Sequence, residues 1–527
     1  MKKWLNNDGL VDFSKTKKLL CEVDAKAEAL KKEIMEAEDK MTVVGKSYYV
    51  SEKNGDDSND GLSPESAWKT FKNVNDGPVT YHDGVYFERG GTYRGQIKCK
   101  SGVTYAAYGK GAKPRIIESP ENGACAHKWS LVEGTENIWL FYKPMPDVGV
   151  IVFNEGQSYA DGTAQSIKRI PAYVGGRFVD RGDMETPFDI KKHLDVDLAH
   201  FNNCDRYKNS EGYPDVANPG NVGELYLRCD KGNPGELFES IEFAVRGNVI
   251  CVGSNRDVHI DNLAIMYGGS HGVGAGTCKG LHVTNCVFGW IGGAIHRYYT
   301  NGARIHKPWR FGNAVEIYGG CDDYVCDHNY IYQVYDAGLT HQLSSGGVFD
   351  CIQKNARYTR NLIEYCTYSF EYFLGRAETV DCVRFQQNIT VKNNIMRFAG
   401  FGFGEQRPEA DCHAAHIKGW EHSNPLDEGF VIENNIFDRS RNMMMHCGAG
   451  KTAWLPAYNG NVYIQYSDNE ESSLGRYGVS PTKLYPYPEN VRQIMNELNM
   501  DPAGGVYFCR KDELFDLPAF LPKNLRK

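Results

Sequence analysis

The feature that most constrains this chain is an asparagine followed by a short apolar run, repeated after residue 250. It recurs in DNLAIMYGG, TNCVFGWIGG, HNYIYQVYDAG, RNLIEYCTYS, NNIMRFAG and NNIFDRS, anchored at Asn262, Asn285, Asn329, Asn361, Asn394 and Asn435. The intervals are 23, 44, 32, 33 and 41 residues. A unit this short, built of strand formers and tight turns, cannot bury its own apolar face. It has to stack on its neighbours, so the pattern predicts a parallel β-solenoid whose longer intervals carry inserted loops. Coils then stack at about 4.8 Å and like residues form ladders. The asparagines read as structural, their amides bonding one above the next inside a turn.

At 527 residues the chain is long for one small domain, but a solenoid grows by adding coils. Lys and Arg number 59 against 67 Asp and Glu, a net charge of −8 that speaks against a nucleic-acid binder. No run approaches the roughly 18 apolar residues of a membrane span. The start, MKKWLNNDGLVDF, breaks after its lysines at Asn6, Asn7, Asp8 and Gly9, unlike a signal peptide. On that reading the protein is cytoplasmic and its 16 cysteines are thiols. The absence of any Cys-x-x-Cys pair excludes zinc-ribbon and thioredoxin-type readings.

Five regions follow. Residues 1–45 hold an amphipathic helix over 14–41, whose stripe of Leu19, Val23, Ala27, Leu30, Ile34 and Met41 is expected to pack on the body. Residues 46–130 form the first coils. Between 131 and 240 the pattern lapses around Trp139, Phe141, Tyr142, Phe153, Tyr159, Tyr173 and Phe178, which reads as a β-rich insertion walling one side of a cleft. The main solenoid runs over 241–450, and 451–527 form an irregular segment with a short helix near 490–498. The N-terminal helix or a solenoid face offers a route to a homo-oligomer.

The stretches YYVSEKNGDDSNDGLSPESAWKTF, DGVYFERGGTYRG and SGVTYAAYGKGAKPRI resemble the opening coils of pectate-lyase-like right-handed parallel β-helix proteins. Farther on, LYLRCDKGNPGELFESIEFAVRGNVICV, RFGNAVEIYGG, VYDAGLTHQ and AAHIKGW resemble β-helical glycoside hydrolases, most nearly those of glycoside hydrolase family 141. The resemblance covers about residues 46 to 450. It implies an all-β solenoid that cleaves glycosidic bonds, fucosides or xylan in that family, and the matched motifs do not carry the sugar over. Without a signal peptide, an enzyme acting on imported plant- or glycan-derived oligosaccharide fits better than a wall depolymerase.

The asparagine register then sorts the candidate acids. Counting from the anchors places Glu316 and Glu371 in the column of Gly272, two coils and roughly 10 Å apart. Val315 and Ile317 flank one glutamate, Phe370 and Tyr372 the other, so alternation points both carboxylates outward. Asp336, on the coil between, matches Gly269 and Gly292 at a corner. Glycoside hydrolysis needs such a group: one carboxyl to protonate the leaving oxygen, another as base or nucleophile. Around them His271, Arg310, His341, Arg407, His416, Lys418 and Trp420 are candidates to bind hydroxyls or stack on a sugar.

Metal readings are weaker. Cys412, His413 and His416 lack a complementary pair, and the calcium-like start Asp56, Ser58, Asp60, Gly61 has Ala67 where the loop needs Glu. No glycine-rich phosphate loop supports a nucleotide, so no cofactor is expected. Two rivals remain. A polysaccharide lyase on the same scaffold would use calcium at Asp322, Asp323 and Asp327, with Arg384 or Lys418 as base. A non-catalytic carbohydrate-binding β-helix would leave the acids idle.

Overall fold

The computed structural model describes residues 13–155, 163–170, 173–174, 177–178, 189–206, 221–300, 306–407, 414–420, 429–449, 455–467, 472–479, 483–486, 495–496 and 498–510. Strands on the short repeat stack into three sheets of ten strands each. Sheet I begins at Ser47–Val50, sheet II at Thr92–Arg94 and sheet III at Ile97–Lys98. Pairing within them is parallel throughout, except where Lys483–Pro486 turns back along Ser473–Val479. The chain visits I, II and III in turn, one strand each per coil, and closes the right-handed parallel β-helix expected from the repeat. Val258, Ile260, Ile265, Phe288, Val315, Ile317, Phe370 and Tyr372 belong to one continuous interior.

The ladder is real but its start is displaced. Asn329 donates from backbone and side chain to Asn361 Oδ1, each at 3.0 Å, and Asn361, Asn394 and Asn435 repeat the pattern to Asn394, Asn435 and Asn461. Asp501 ends the stack, accepting from Asn461 at 2.8 Å. Before it, the ladder position is Cys286, whose amide donates to Asn329 Oδ1 at 2.9 Å. Asn262 and Asn285 stand one residue earlier, in a column of left-handed turn residues with His328, Arg360, Asn393 and Asn434, where φ runs from 51° to 63°. Asparagine tolerates that conformation as readily as it forms ladders, so the same letter marks two neighbouring positions.

The N-terminal helix spans Phe13–Met35 rather than 14–41. It crosses sheet II with Leu20, Val23, Ala27 and Ile34 packed on Ala264, Val287, Tyr330, Leu362, Ile395, Ile464, Tyr466 and Cys509. Its 23 residues rise about 34 Å, the height of seven rungs. It therefore runs from the last coil back toward the first, and its apolar stripe packs on the body as expected. Met41 lies beyond it, because residue 36 onward must leave sheet II to reach Ser47. Asp39 fixes that exit by bonding Arg89 and Asn262.

The chain leaves the coils after Ile117 and rejoins at Ile250, at the II–III corner. Between them, Val148–Phe153 pairs with Ile241–Val245, and its Val150 and Val152 pack on Met266, Tyr267, Trp290 and Tyr335. Tyr159 and the tail helix expected near 490–498 lie outside the described residues or largely so. The fifteen described cysteines are free thiols. Among the described residues no helix is long and apolar enough to cross a membrane.

Candidate active site on sheet III

Register on sheet III brings the predicted acids together. Gly274 pairs with Glu316, Glu316 with Thr340, Thr340 with Glu371, Glu371 with Lys418, and Lys418 with His446. The two glutamates thus share one outward column, two rungs apart. Their neighbours Val315, Ile317, Phe370 and Tyr372 turn into the core as alternation requires. The column partner is Gly274 instead of Gly272, and Asp336 donates its amide to Gly312 O while Gly292 abuts Tyr335. Counting from Asn262 and Asn285, which sit one residue before the ladder position, accounts for one residue of each offset.

Each acid has a different setting. Asp336 Oδ1 lies 2.6 Å from the Arg407 guanidinium. Glu371 is buried and 2.6 Å from Lys418 Nζ. Burial drives the Glu371 carboxyl above the usual range against the pull of Lys418, and the charge of Asp336 pushes the same way. Lys418 is driven upward, chiefly by Glu371 overcoming its desolvation, and its ammonium sits 4.0 Å from the Tyr368 ring centroid. Glu316 Oε2 accepts from Asn313 Nδ2 and from Gln342 Nε2 at 2.8 Å, with His271 Nδ1 at 3.3 Å. Between the glutamates the Thr340 hydroxyl is buried without a hydrogen-bond partner.

Long segments wall this column at the II–III corner. The hairpin Ile295–Thr300 with His306–Arg310 stands on one side, and His296 stacks on Phe311 beside His271. On the other side the short helix Phe403–Gln406 delivers Arg407 to Asp336. Gln406 is tied to the insertion, accepting from Lys168 N at 3.1 Å and donating to Ser166 O at 2.9 Å. Buried Asp147 joins both walls, bonding Lys168 Nζ at 2.7 Å and Ile295 N at 2.6 Å. The insertion is thus bonded to the segments on both sides of the acid column.

Of the predicted binding residues, His271, Arg407 and Lys418 contact the acids directly. Three others do not face them. His341 points into the solenoid core, bonded to Tyr358 and Gln386, because it follows outward Thr340; burial pushes its imidazole down to about 3. His416 is equally interior, bonded to Ser369 and lowered to about 4 by burial. Arg310 is buried inside the wall, donating to Gly293 O at 2.6 Å with its guanidinium 4.5 Å from the Tyr335 centroid. The Trp420 backbone pairs with Phe373, while its side chain lies outside the described residues.

Sequence reasoning passed over Asn313, Thr340, Gln342 and Tyr368. Asn313 was the most legible: it stands three residues before Glu316 and links His271, Glu316 and Ala337 through one side chain and one amide.

The calcium alternatives disperse. Asp322, Asp323 and Asp327 lie on sheet I, each engaged by cations of neighbouring strands such as Lys354, Arg357 and Arg360. Arg384 is a loop tie, donating to Gly375 O and Gly346 O. Asp56 and Asp60 accept within their own turn. Cys412 and His413 lie outside the described residues. Among the described residues no cluster of three or more His, Cys, Asp or Glu could hold a metal ion.

No family model and no curated protein matches the chain. Among solved structures, it is similar to XylC in complex with xylose, at 11% identity and a TM-score of 0.43 over 88% of this chain and 82% of that one. A glycoside hydrolase family 136 lacto-N-biosidase from Eubacterium ramulus aligns at 13% identity and a TM-score of 0.33, over 88% and 68% of the two chains. Both superpose too loosely to transfer a residue role.

Proposed function

We propose that this protein is a glycoside hydrolase acting on plant- or glycan-derived oligosaccharides, with Glu371 and Asp336 as its reacting pair. The observation that supports this most is the contrast between the two acids at one rim. Glu371 is buried, with its affinity for a proton raised, while Asp336 sits at the corner against Arg407. Glu371 then gives its proton to the departing glycosidic oxygen. Asp336 attacks the anomeric carbon or takes a proton from the attacking water. Glu316, held by Asn313 and Gln342, is a fixed acceptor for a sugar hydroxyl. Lys418 holds the Glu371 carboxylate after the proton has left.

The lyase alternative needs a base that is neutral near pH 7. Lys418 is driven the other way by Glu371, so proton abstraction by it is disfavoured. The test is product analysis on aryl glycosides, neutral oligosaccharides and uronate polymers. New reducing ends from the neutral substrates support hydrolysis. Unsaturated, ultraviolet-absorbing products from the uronates alone would replace it with β-elimination.

A further inference from the structure

Beyond the acid column, sheet III carries a second outward column at its edge with sheet I. Tyr318 pairs with Gln342 and Gln342 with Phe373, two residues on from Glu316, Thr340 and Glu371. Two loops leave this edge, over residues 344–350 and 375–383. Tyr318, Val348, Phe349, Val380 and Val383 all stand exposed there, five of the twelve large apolar side chains most exposed among the described residues. Scattered exposed apolar groups need no explanation, but this set lies on the strand of Glu316 and on the two loops that continue the strands of Thr340 and Glu371.

The ridge is also held in place. Arg384 donates to Gly375 O at 2.8 Å and to Gly346 O at 2.6 Å, tying the two loops, and its guanidinium lies 5.0 Å from the Phe349 centroid. Gly346 N donates to Arg376 O at 2.8 Å. Leu343, Cys351 and Leu374 pack underneath. The Tyr318 hydroxyl accepts from Ser344 N at 3.4 Å, so its ring leans toward the first loop. An apolar surface fixed this firmly has its conformational cost met before a ligand arrives.

We propose that Tyr318 and Phe349, with Val348 and Val383, form a subsite that stacks the apolar face of a neutral pyranose ring adjoining the bond to be cleaved. The assignment rests on the hydrolase reading for its orientation toward the acids. The Tyr318 backbone is roughly 7 Å along the strand from Glu316, and both side chains face the same way. Gln342 stands beside Tyr318 and donates to Glu316 at 2.8 Å, so an aromatic face and a polar edge lie side by side. That pairing suits a sugar, whose ring presents carbon–hydrogen bonds on one face and hydroxyls at its rim.

The test is calorimetric titration of the full chain with cellotetraose, xylotetraose, mannotetraose and chitotetraose, repeated for Tyr318→Ala and Phe349→Ala. Both side chains are about half exposed, so neither substitution empties a core. At least one tetrasaccharide is expected to bind, and each substitution to weaken it tenfold or more. No binding by any of the four, or unchanged affinity in both variants, overturns the subsite. So does a change in sedimentation of the variants, which would make the ridge a contact between copies. Rim-dependent binding without turnover would keep the subsite and remove the hydrolase reading; turnover indifferent to the rim would do the reverse.

Discussion

Glu316 and Glu371 face the same way from one column of sheet III, separated by a single rung whose Thr340 hydroxyl has no partner. Two acids held this way, with a third at the adjoining corner, are not spread by chance over a solvated face. All three are buried, and each has a different set of donors. The predictions below follow from that arrangement and from the devices that hold it.

Lys418 and Glu371 depend on each other. At a pH high enough to ionise Glu371, removing the ammonium in Lys418→Met leaves a buried carboxylate uncompensated, at a cost of about 3–5 kcal/mol in denaturant unfolding. The double variant with Glu371→Gln should recover much of that loss, giving a large coupling energy in the double-mutant cycle. Equal, additive losses would show that the pair does not interact.

Glu118 gives a pH signature away from the acids. Burial alone pushes its carboxyl up to about 8, and one of its oxygens is buried without a partner. A raised acid binds its proton more tightly folded than unfolded, so its stabilising contribution is full below about 4.5 and is lost as pH rises through about 8. Glu118→Gln should therefore match wild type near pH 4 and exceed it near pH 9, by on the order of 2 kcal/mol given its partial exposure. Parallel stability profiles for the two proteins contradict this.

The asparagine ladder should be costly to interrupt. Asn361→Ala removes an acceptor for Asn329 and leaves the backbone amide of Asn329 buried and unpaired. About 1–3 kcal/mol is expected from urea midpoints, with the fold otherwise retained. Asn285→Ala, in the turn column, should act instead through its positive φ and leave the ladder bonds intact.

The N-terminal helix is part of the folded body. Val23→Asp puts a charge under sheet II at a fully buried position and should release the helix, costing several kcal/mol. Amide exchange at residues 19–34 would rise first, together with exposure of Tyr330 and Tyr466, which the helix covers. Protection that persists in the variant would show that the stripe does not bind there.

Periodicity made the solenoid, the helix packing and the shared column of Glu316 and Glu371 legible before any coordinates. The repeat fixes which residues stack, and alternation fixes which way they point. Absolute register was less legible, because asparagine serves both the ladder and the left-handed turn beside it; two displaced anchors, Asn262 and Asn285, helped move Gly272 and Gly292 into columns they do not occupy. His341 and His416 were misread for a related reason. His341 follows outward Thr340 and so turns inward to Tyr358, and His416 turns inward to Ser369 and the Phe437 ring. Arg310 is hidden by a hairpin whose path no periodicity reveals. The brace from Asp147 through Lys168 to Gln406 joins segments more than 200 residues apart, beyond the reach of any local pattern.

The most direct measurement of the central claim is initial hydrolysis rates for wild type, Asp336→Asn and Glu371→Gln on a panel of aryl pyranosides and neutral oligosaccharides, with unfolding midpoints taken in parallel. Wild type is expected to release reducing sugar, and each variant to lose about 10²- to 10⁴-fold in rate while remaining folded. Turnover that survives both substitutions in folded protein would contradict the assignment of Asp336 and Glu371, and no turnover by wild type would contradict the hydrolase reading itself.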